Sequence, residues 1–268
     1  MFRGYPGTIM RGASLRAGMA DAPASLIFLA SGILGFGPAV GVLYHALRTY
    51  DYPYTERAYF DTTRVFLGVA VGMILGTASG AITVWVGAAG SLLGLVLLLI
   101  GVALFEEAFK LVYLNRKGYR GRFDTTFVGV SLSTGMAAIA AAGPAYSNGP
   151  GLLTVSVFVP LAVFSVTLAF LHGATGAILG LGCSRGEIVT PFAQALLARV
   201  LHAAMLIPFF VWYSQPSTPI ALPGFSLAAA TGFTLFLYSY AYRSVIPRTL
   251  PVDLRRERRR RVRRSPRG

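Results

Sequence analysis

Long apolar stretches separated by short charged connections dominate the amino-acid sequence. Stretches such as 79–103 and 151–171 contain no charged residue, and each is as long as the roughly 20 residues that a helix needs to cross a bilayer. We therefore predict an all-α, polytopic membrane bundle of about seven transmembrane helices. The predicted spans are 24–47, 64–85, 88–114, 124–143, 152–182, 189–213 and 222–242.

Two features of this pattern leave the number of spans open. The segment 152–182 is long for one span and contains Pro160, so the alternatives are one tilted helix and a helix broken at the proline. Between the second and third spans, only a glycine-rich bend near Gly87 and Gly90 interrupts the apolar run. If 152–182 is two helices, or if the second and third spans are one helix, the number of spans and the topology change.

Composition supports the membrane interpretation. Of the 268 residues, 54% are hydrophobic and only 13% are charged, and the mean hydropathy is +0.62. A soluble domain carries about 25% charged residues. These values exclude an ordinary soluble domain and predict a multi-pass protein of the cell membrane.

The distribution of lysine and arginine predicts the orientation, because short cytoplasmic connections carry the excess positive charge. A cytoplasmic C-terminus places the basic connections 48–63, 115–123 and 183–188 inside and the N-terminus outside, although Arg3, Arg11 and Arg16 oppose that placement. We expect a mobile N-terminal tail (1–23), a transmembrane domain (24–243) and a basic cytoplasmic tail (244–268). The basic residues of the inner connections are Arg48, Arg57, Arg116, Lys117, Arg120, Arg122 and Arg185.

The net charge of +14 is concentrated at the C-terminus, where residues 255–268 include nine arginines and one glutamate. Basic clusters beside a membrane span bind anionic lipid headgroups, so we predict that the tail is an electrostatic anchor on anionic lipid. A tail that binds nucleic acid or a protein partner is the alternative. We expect no nucleic-acid partner.

Candidate chemistry begins with Glu106 and Glu107, which lie side by side in an otherwise apolar span and are followed by Lys110. Ionisable residues at membrane depth are costly and mark functional sites. Spacings of three and four residues place the three side chains on one side of a helix, where Lys110 compensates one carboxylate. We expect the other carboxylate to serve as a general base or acid. An ion pair that closes a helix contact is the structural alternative.

Two further spans each contain a lone histidine, His172 and His202. At a rise of about 1.5 Å per residue, Glu106 lies roughly 12 Å, His172 roughly 15 Å and His202 roughly 21 Å from the cytoplasmic ends of their spans. These comparable depths predict that three spans contribute to one site. Arg199, three residues before His202, either pairs with a glutamate or extends toward the interface.

Two glutamates and two histidines are compatible with two mechanisms. In one, a glutamate deprotonates water and a histidine stabilises the oxyanion that forms when water attacks a peptide carbonyl. In the other, zinc activates the water, with Glu107, His172 and His202 as possible ligands. The helical zinc signature His-Glu-x-x-His is absent from the sequence. A zinc cofactor therefore stays possible only through ligands from separate helices.

The motifs resemble those of the PrsW family of intramembrane proteases, which is more distantly similar to the CAAX prenyl proteases. Glu106-Glu107-Ala-Phe-Lys110 resembles the family's EExxK signature, and three further motifs follow in the family's order. These are Phe123-Asp124 with Gly129 and Gly135, His172 with Gly180, and His202-Ala203.

The resemblance implies an intramembrane endopeptidase that hydrolyses a membrane-anchored protein or peptide. It assigns catalytic roles to Glu106, Glu107, His172 and His202, and positioning roles to Lys110 and Asp124.

Two positions depart from the family pattern. Ala140 stands where a glutamate is usual, and Leu206 stands where aspartate or asparagine is usual. The main alternative is therefore a catalytically inactive relative that acts as a binding or regulatory partner. A third hypothesis is a proton-coupled carrier in which the glutamates bind protons.

Overall fold

Seven long helices account for most of the chain. The computed structural model describes residues 23–52, 54–56, 58–86, 91–214 and 221–256, and these residues include no strand. The predicted all-α polytopic bundle is confirmed. The helices are α1 (Ala24–Leu47), α2 (Thr62–Val86), α3 (Leu92–Leu114), α4 (Thr125–Ser147), α5 (Val155–Arg185), α6 (Val189–Ser214) and α7 (Ala221–Tyr240).

The basic connections meet at one end of the bundle, here called the arginine-rich end. It comprises the α1–α2, α3–α4 and α5–α6 connections and the segment that follows α7. Because alternate connections share this end, successive helices among the described residues run in opposite directions. The joining hydrogen bonds run from Arg64 Nη1 to Gly118 O at 3.1 Å, from Gly121 N–H to Cys183 O at 3.1 Å, and from Thr249 Oγ1 to Phe123 O at 2.5 Å.

Helices α1 to α6 are long and apolar enough to cross a membrane. Helix α7 returns from the far end of α6 to the arginine-rich end and packs against α5 and α6. Its Ser226 hydroxyl donates to the Met205 carbonyl of α6 at 2.5 Å. The protein is a multi-pass membrane protein, and the assignment of the arginine-rich end to the cytoplasm remains a prediction.

The structure describes 152–182 and both helices that flank the bend, while Gly87 and Gly90 themselves lie outside the described residues. Helix α5 continues through Pro160, which lies in its second turn and removes one backbone hydrogen bond there. Its 31 residues make it about 46 Å long, more than the hydrocarbon core alone requires. Helices α2 and α3 are separate, and the Ser91 side chain caps α3 by accepting a hydrogen bond from Gly94 N–H at 3.1 Å.

Helix α4 is the central element, with 78% of its most apolar stretch buried against only 22% for α3. Glycines bring its neighbours close. A Cβ on Gly129 would collide with the Gly176 carbonyl of α5, and a Cβ on Gly135 would collide with the Val69 carbonyl of α2. Small residues allow such close approach between membrane helices, so these glycines fix where α5 places its polar side chains.

The packed region extends past the predicted boundary at residue 243. A π-helical segment, Ala241–Val245, and a short helix, Ile246–Thr249, follow α7. Ile246 and Leu250 are buried in the core, and Thr249 Oγ1 lies 2.7 Å from Thr126 Oγ1. The predicted N-terminal tail up to residue 22, Arg57, and the basic tail from residue 257 onward lie outside the described residues.

Replacing Gly176 by alanine tests the close packing of α4 and α5. The added Cβ meets the Gly129 carbonyl and the Ser133 hydroxyl, so the change should reduce the free energy of unfolding by about 2 kcal/mol, a typical cost of overpacking. Thermal unfolding of the detergent-solubilised protein measures this. Gly143→Ala in α4 is the control, because a Cβ there meets open space. Equal melting temperatures for the two variants would contradict the packing.

Candidate active site

Helices α3, α5 and α6 bring the predicted polar residues into one buried cluster. Glu106, Glu107 and Lys110 come from α3, and His172 comes from α5. Helix α6 contributes Arg199 and His202. All six residues are buried, and none is more than 8% exposed. The expected convergence of three spans is therefore present.

Glu107 forms the innermost pair of the cluster. Its Oε1 lies 2.6 Å from Lys110 Nζ, and both side chains are completely buried. Thr175 of α5 completes a triangle, since its hydroxyl accepts from Lys110 Nζ at 3.1 Å and lies 3.3 Å from Glu107 Oε1. The second carboxylate oxygen, Glu107 Oε2, has no hydrogen-bond partner among the described residues.

Glu106 has a separate cation. The Arg199 guanidinium of α6 donates to Glu106 Oε2, and Arg199 Nε lies 3.7 Å from Glu107 Oε1. Of the two alternatives for Arg199, pairing with a glutamate is therefore the observed one. Two carboxylates and two cations leave the cluster neutral overall. Arg199 of α6 therefore supplies the cation for the carboxylate that Lys110 does not contact.

The two histidines have different surroundings. His172 Nε2 lies 3.8 Å from Glu106 Oε2, which is beyond hydrogen-bond distance. Neither ring nitrogen of His172 has a partner in the described part of the chain. His202 Nε2 lies 3.3 Å from Thr167 Oγ1 of α5. A buried polar group without a partner is costly, so His172 retains the capacity to bind another group.

A cavity of about 530 Å³ opens beside the cluster. Glu106, Arg199 and His202 line its inner part, and the rest of the wall is mostly apolar and comes from α2 to α6. The lining extends to Ser147, at the end of α4 that is remote from the arginine-rich end. A polar cluster at one end of an apolar cavity has the general form of a small-molecule or peptide site.

The positions that depart from the family pattern lie on this cavity. Ala140 of α4 and Leu206 of α6 both contribute to its wall. Both side chains are apolar and add no hydrogen-bonding group to the wall that also contains Glu106 and His202. Glu107 and His172 do not belong to the lining and lie behind it.

Asp124 is the one predicted site residue that the structure does not bring into contact with the cluster. It precedes α4 at the arginine-rich end, and its two carboxylate oxygens accept hydrogen bonds from Arg122 Nε and Nη2, each at 3.0 Å. This bidentate pair joins residues of the α3–α4 connection. The contacts of Asp124 therefore organise the start of α4 and do not reach Glu106 or Glu107.

The possible zinc ligands Glu107, His172 and His202 do not form a metal site. Within the described ranges, no three His, Cys, Asp or Glu side chains form a group that could hold a metal ion. The chemistry of the donor set also opposes a cation, since Lys110 and Arg199 already face the two carboxylates.

Two threonines complete the site and were not anticipated from the sequence. Thr175 joins Glu107 and Lys110, and Thr167 contacts His202. Thr175 follows His172 by three residues, and that spacing places it on the same side of α5. This spacing is the only signal in the sequence, and it is weak because threonine in membrane helices often bonds to its own backbone.

The ion pair between Glu107 and Lys110 can be tested by a double-mutant cycle. Lys110→Met leaves the buried Glu107 carboxylate without its nearest cation, so it should lower the free energy of unfolding by about 3–5 kcal/mol. Glu107→Gln combined with Lys110→Met removes both charges and should restore much of that loss. Equilibrium unfolding of the purified proteins measures the free energies of unfolding of the single and the double variant. A double variant that is less stable than Lys110→Met would contradict the pairing.

Comparisons with protein-family models, with curated proteins and with solved structures found no match to this chain. The proposed function therefore rests on the chemistry of the buried residues. They form a neutral cluster of two carboxylates and two cations, with two imidazoles beside it, at the inner part of an apolar cavity within the membrane bundle.

Proposed function

We propose that the protein is an intramembrane endopeptidase of the PrsW type, located in the cell membrane, which hydrolyses a membrane-anchored protein or peptide. One observation carries the proposal: the Glu106 carboxylate lines a 530 Å³ apolar cavity together with Arg199 and His202. An apolar cavity can receive a transmembrane segment, and the polar groups at its inner part supply the residues that hydrolysis needs.

Glu106 is the general base in this proposal. Arg199 donates a hydrogen bond to its Oε2 and orients the carboxylate, so Oε1 is the atom that accepts a proton from water. The resulting hydroxide attacks the carbonyl carbon of the scissile peptide bond. The same proton then passes from Glu106 to the departing amide nitrogen, which leaves as an amine when the carbon–nitrogen bond breaks.

His202 and Arg199 are the candidate donors to the oxyanion, because both lie on the cavity wall beside Glu106. Preorganised donors at a developing negative charge supply a large share of the rate enhancement in acyl transfer. His172 lies 3.8 Å from Glu106 Oε2 on the far side of the cavity lining. Its uncommitted ring nitrogens suit a role in retaining a water molecule beside Glu106.

Glu107, Lys110 and Thr175 are positioning residues in this scheme. They form hydrogen bonds to one another behind the cavity and join α3 to α5. Arg199 Nε also lies 3.7 Å from Glu107 Oε1, so the guanidinium is held between the two carboxylates. Loss of Glu107 should therefore displace the group that orients Glu106.

A catalytically inactive relative that binds a membrane partner is the second candidate. Ala140 and Leu206 favour it, because both line the cavity at positions where the resembling family has hydrogen-bonding side chains. In this alternative the charge cluster only fixes the packing of α3, α5 and α6. The cavity then receives a partner helix without cleaving it.

Substitution of the proposed base distinguishes the two candidates. In cells that express the full chain, new N-termini of membrane proteins should appear, and Glu106→Gln should reduce their formation by about 10²–10⁴-fold through loss of the general base. Mass spectrometry of labelled N-termini in isolated membranes measures them. Glu187→Gln serves as the control, because Glu187 is an exposed residue of the α5–α6 connection.

The result that contradicts proteolysis is also specific. If the wild-type protein and Glu106→Gln, present at equal levels in the membrane, give the same set of N-termini, then the inactive relative is the better description. A loss that Glu187→Gln shares would point to changed expression and not to catalysis.

A further inference from the structure

A second cavity of about 550 Å³ lies between α1, α5 and α7. It shares no lining residue with the cavity that contains Glu106. Most of its wall is apolar, including Pro38 and Gly41 of α1, Phe170 of α5 and Leu235 of α7. We call this second cavity the α1–α7 groove.

One end of the α1–α7 groove is polar and aromatic. His45, Tyr238, Tyr242 and Arg243 line it there. His45 Nδ1 lies 2.9 Å from the Tyr238 hydroxyl, and the His45 and Tyr242 rings lie 4.2 Å apart between centroids. Tyrosine is enriched where membrane proteins meet the headgroup region. The groove therefore passes from an apolar interior to an interfacial mouth.

Arg48 and Arg243 stand at this mouth without an acidic partner among the described residues. Arg243 is exposed and lines the groove, while Arg48 is exposed and follows His45 by three residues at the end of α1. Within the described part of the chain, no aspartate or glutamate forms an ion pair with either of them. Their positive charge is available to a ligand from outside the chain.

The backbone at the mouth departs from regular helix. The π-helical segment Ala241–Val245 begins where α7 ends, and it carries both Tyr242 and Arg243. Short π-helical insertions are frequent at functional sites, because the extra residue per turn reorients side chains. This irregularity is independent of the charge pattern and coincides with the same two residues.

We propose that the α1–α7 groove binds one anionic phospholipid. An acyl chain would lie along the apolar wall between Pro38 and His45, a length of about 10 Å on α1. The phosphate would lie between Arg48 and Arg243, with Tyr242 at the glycerol level. Two unpaired cations above an apolar slot match a ligand that is anionic at one end and apolar at the other. Neither Arg48 nor Arg243 belongs to the arginine-rich run of residues 255–268.

Lipid binding to the purified, delipidated full-length protein tests the proposal. Phosphatidylglycerol and phosphatidylcholine with the same acyl chains are added separately, and bound lipid is counted by native mass spectrometry. Phosphatidylglycerol should bind more tightly. Arg48→Gln with Arg243→Gln should weaken its binding by about 25-fold, or about fivefold for each basic residue removed.

The matched control removes two other exposed cations at the arginine-rich end, Lys117→Gln with Arg120→Gln. This pair should leave binding within about twofold of the wild type, since two distant charges interact only weakly across screened solvent. An equal loss in both double variants would assign the binding to general surface charge and overturn the proposal, as would equal binding of the two lipids.

A second variant tests the apolar part of the groove without changing charge. Gly41→Leu should fill the groove and reduce retained phosphatidylglycerol at least tenfold, because a Cβ at Gly41 meets open space and the fold tolerates it. Gly37→Leu on the same helix also meets open space but lies outside the groove. Unchanged binding in Gly41→Leu would overturn the proposal. Lipid retention is measured without any cleavage assay, so its outcome is separate from that of the proposed proteolysis.

Discussion

The neutral cluster of Glu106, Glu107, Lys110 and Arg199 is the constraint on which the bundle's architecture depends. Moving a single charge out of water costs several kcal/mol even after relaxation, and four charged side chains are buried here. They are tolerated because each carboxylate lies against its own cation. Since Arg199 belongs to α6 and the others to α3, the cluster fixes how these two helices meet.

This constraint matters most for α3, which has little other packing. Only 22% of its most apolar stretch is buried, and the α4–α5 pair is held instead by glycine contacts such as Gly129 with Gly176. The polar contacts to Arg199 and Thr175 therefore do much to position α3 beside α5 and α6. The same contacts orient Glu106 toward its cavity, so stability and the proposed chemistry depend on one set of bonds.

The sequence predicted the bundle and the core of the site for simple physical reasons. Uninterrupted apolar runs locate the helices, and charged residues such as Glu106 are conspicuous at membrane depth because they are costly there. The ion-pair partner of Arg199 was not predictable, because Arg199 has the same position on its helix whether it pairs with a glutamate or extends to the interface. The geometry with which α3 and α6 cross decides between the two outcomes. A single sequence does not specify how two helices cross.

Other features were missed because their sequence signals are weak or misleading. Asp124 matches a motif, yet its contacts are with Arg122, two residues away. The packed region continues to Leu250 through a segment that contains Arg248, and this charge beside the arginine-rich run made the segment resemble a solvated tail. Its buried residues, Val245, Ile246 and Leu250, become recognisable only once the π-helical segment is known.

If Glu106 acts as a general base, water must reach it through the cavity inside the membrane bundle, and thiol labelling at residue 140 measures that access. In a Cys183→Ala background, Ala140→Cys should react with a small water-soluble thiol reagent, because Ala140 lines the cavity beside Glu106. Ala137→Cys, on the same helix but packed in the core, should remain unmodified. If Ala140→Cys is labelled as slowly as Ala137→Cys, water does not reach the cavity wall beside Glu106, and Glu106 cannot activate it there.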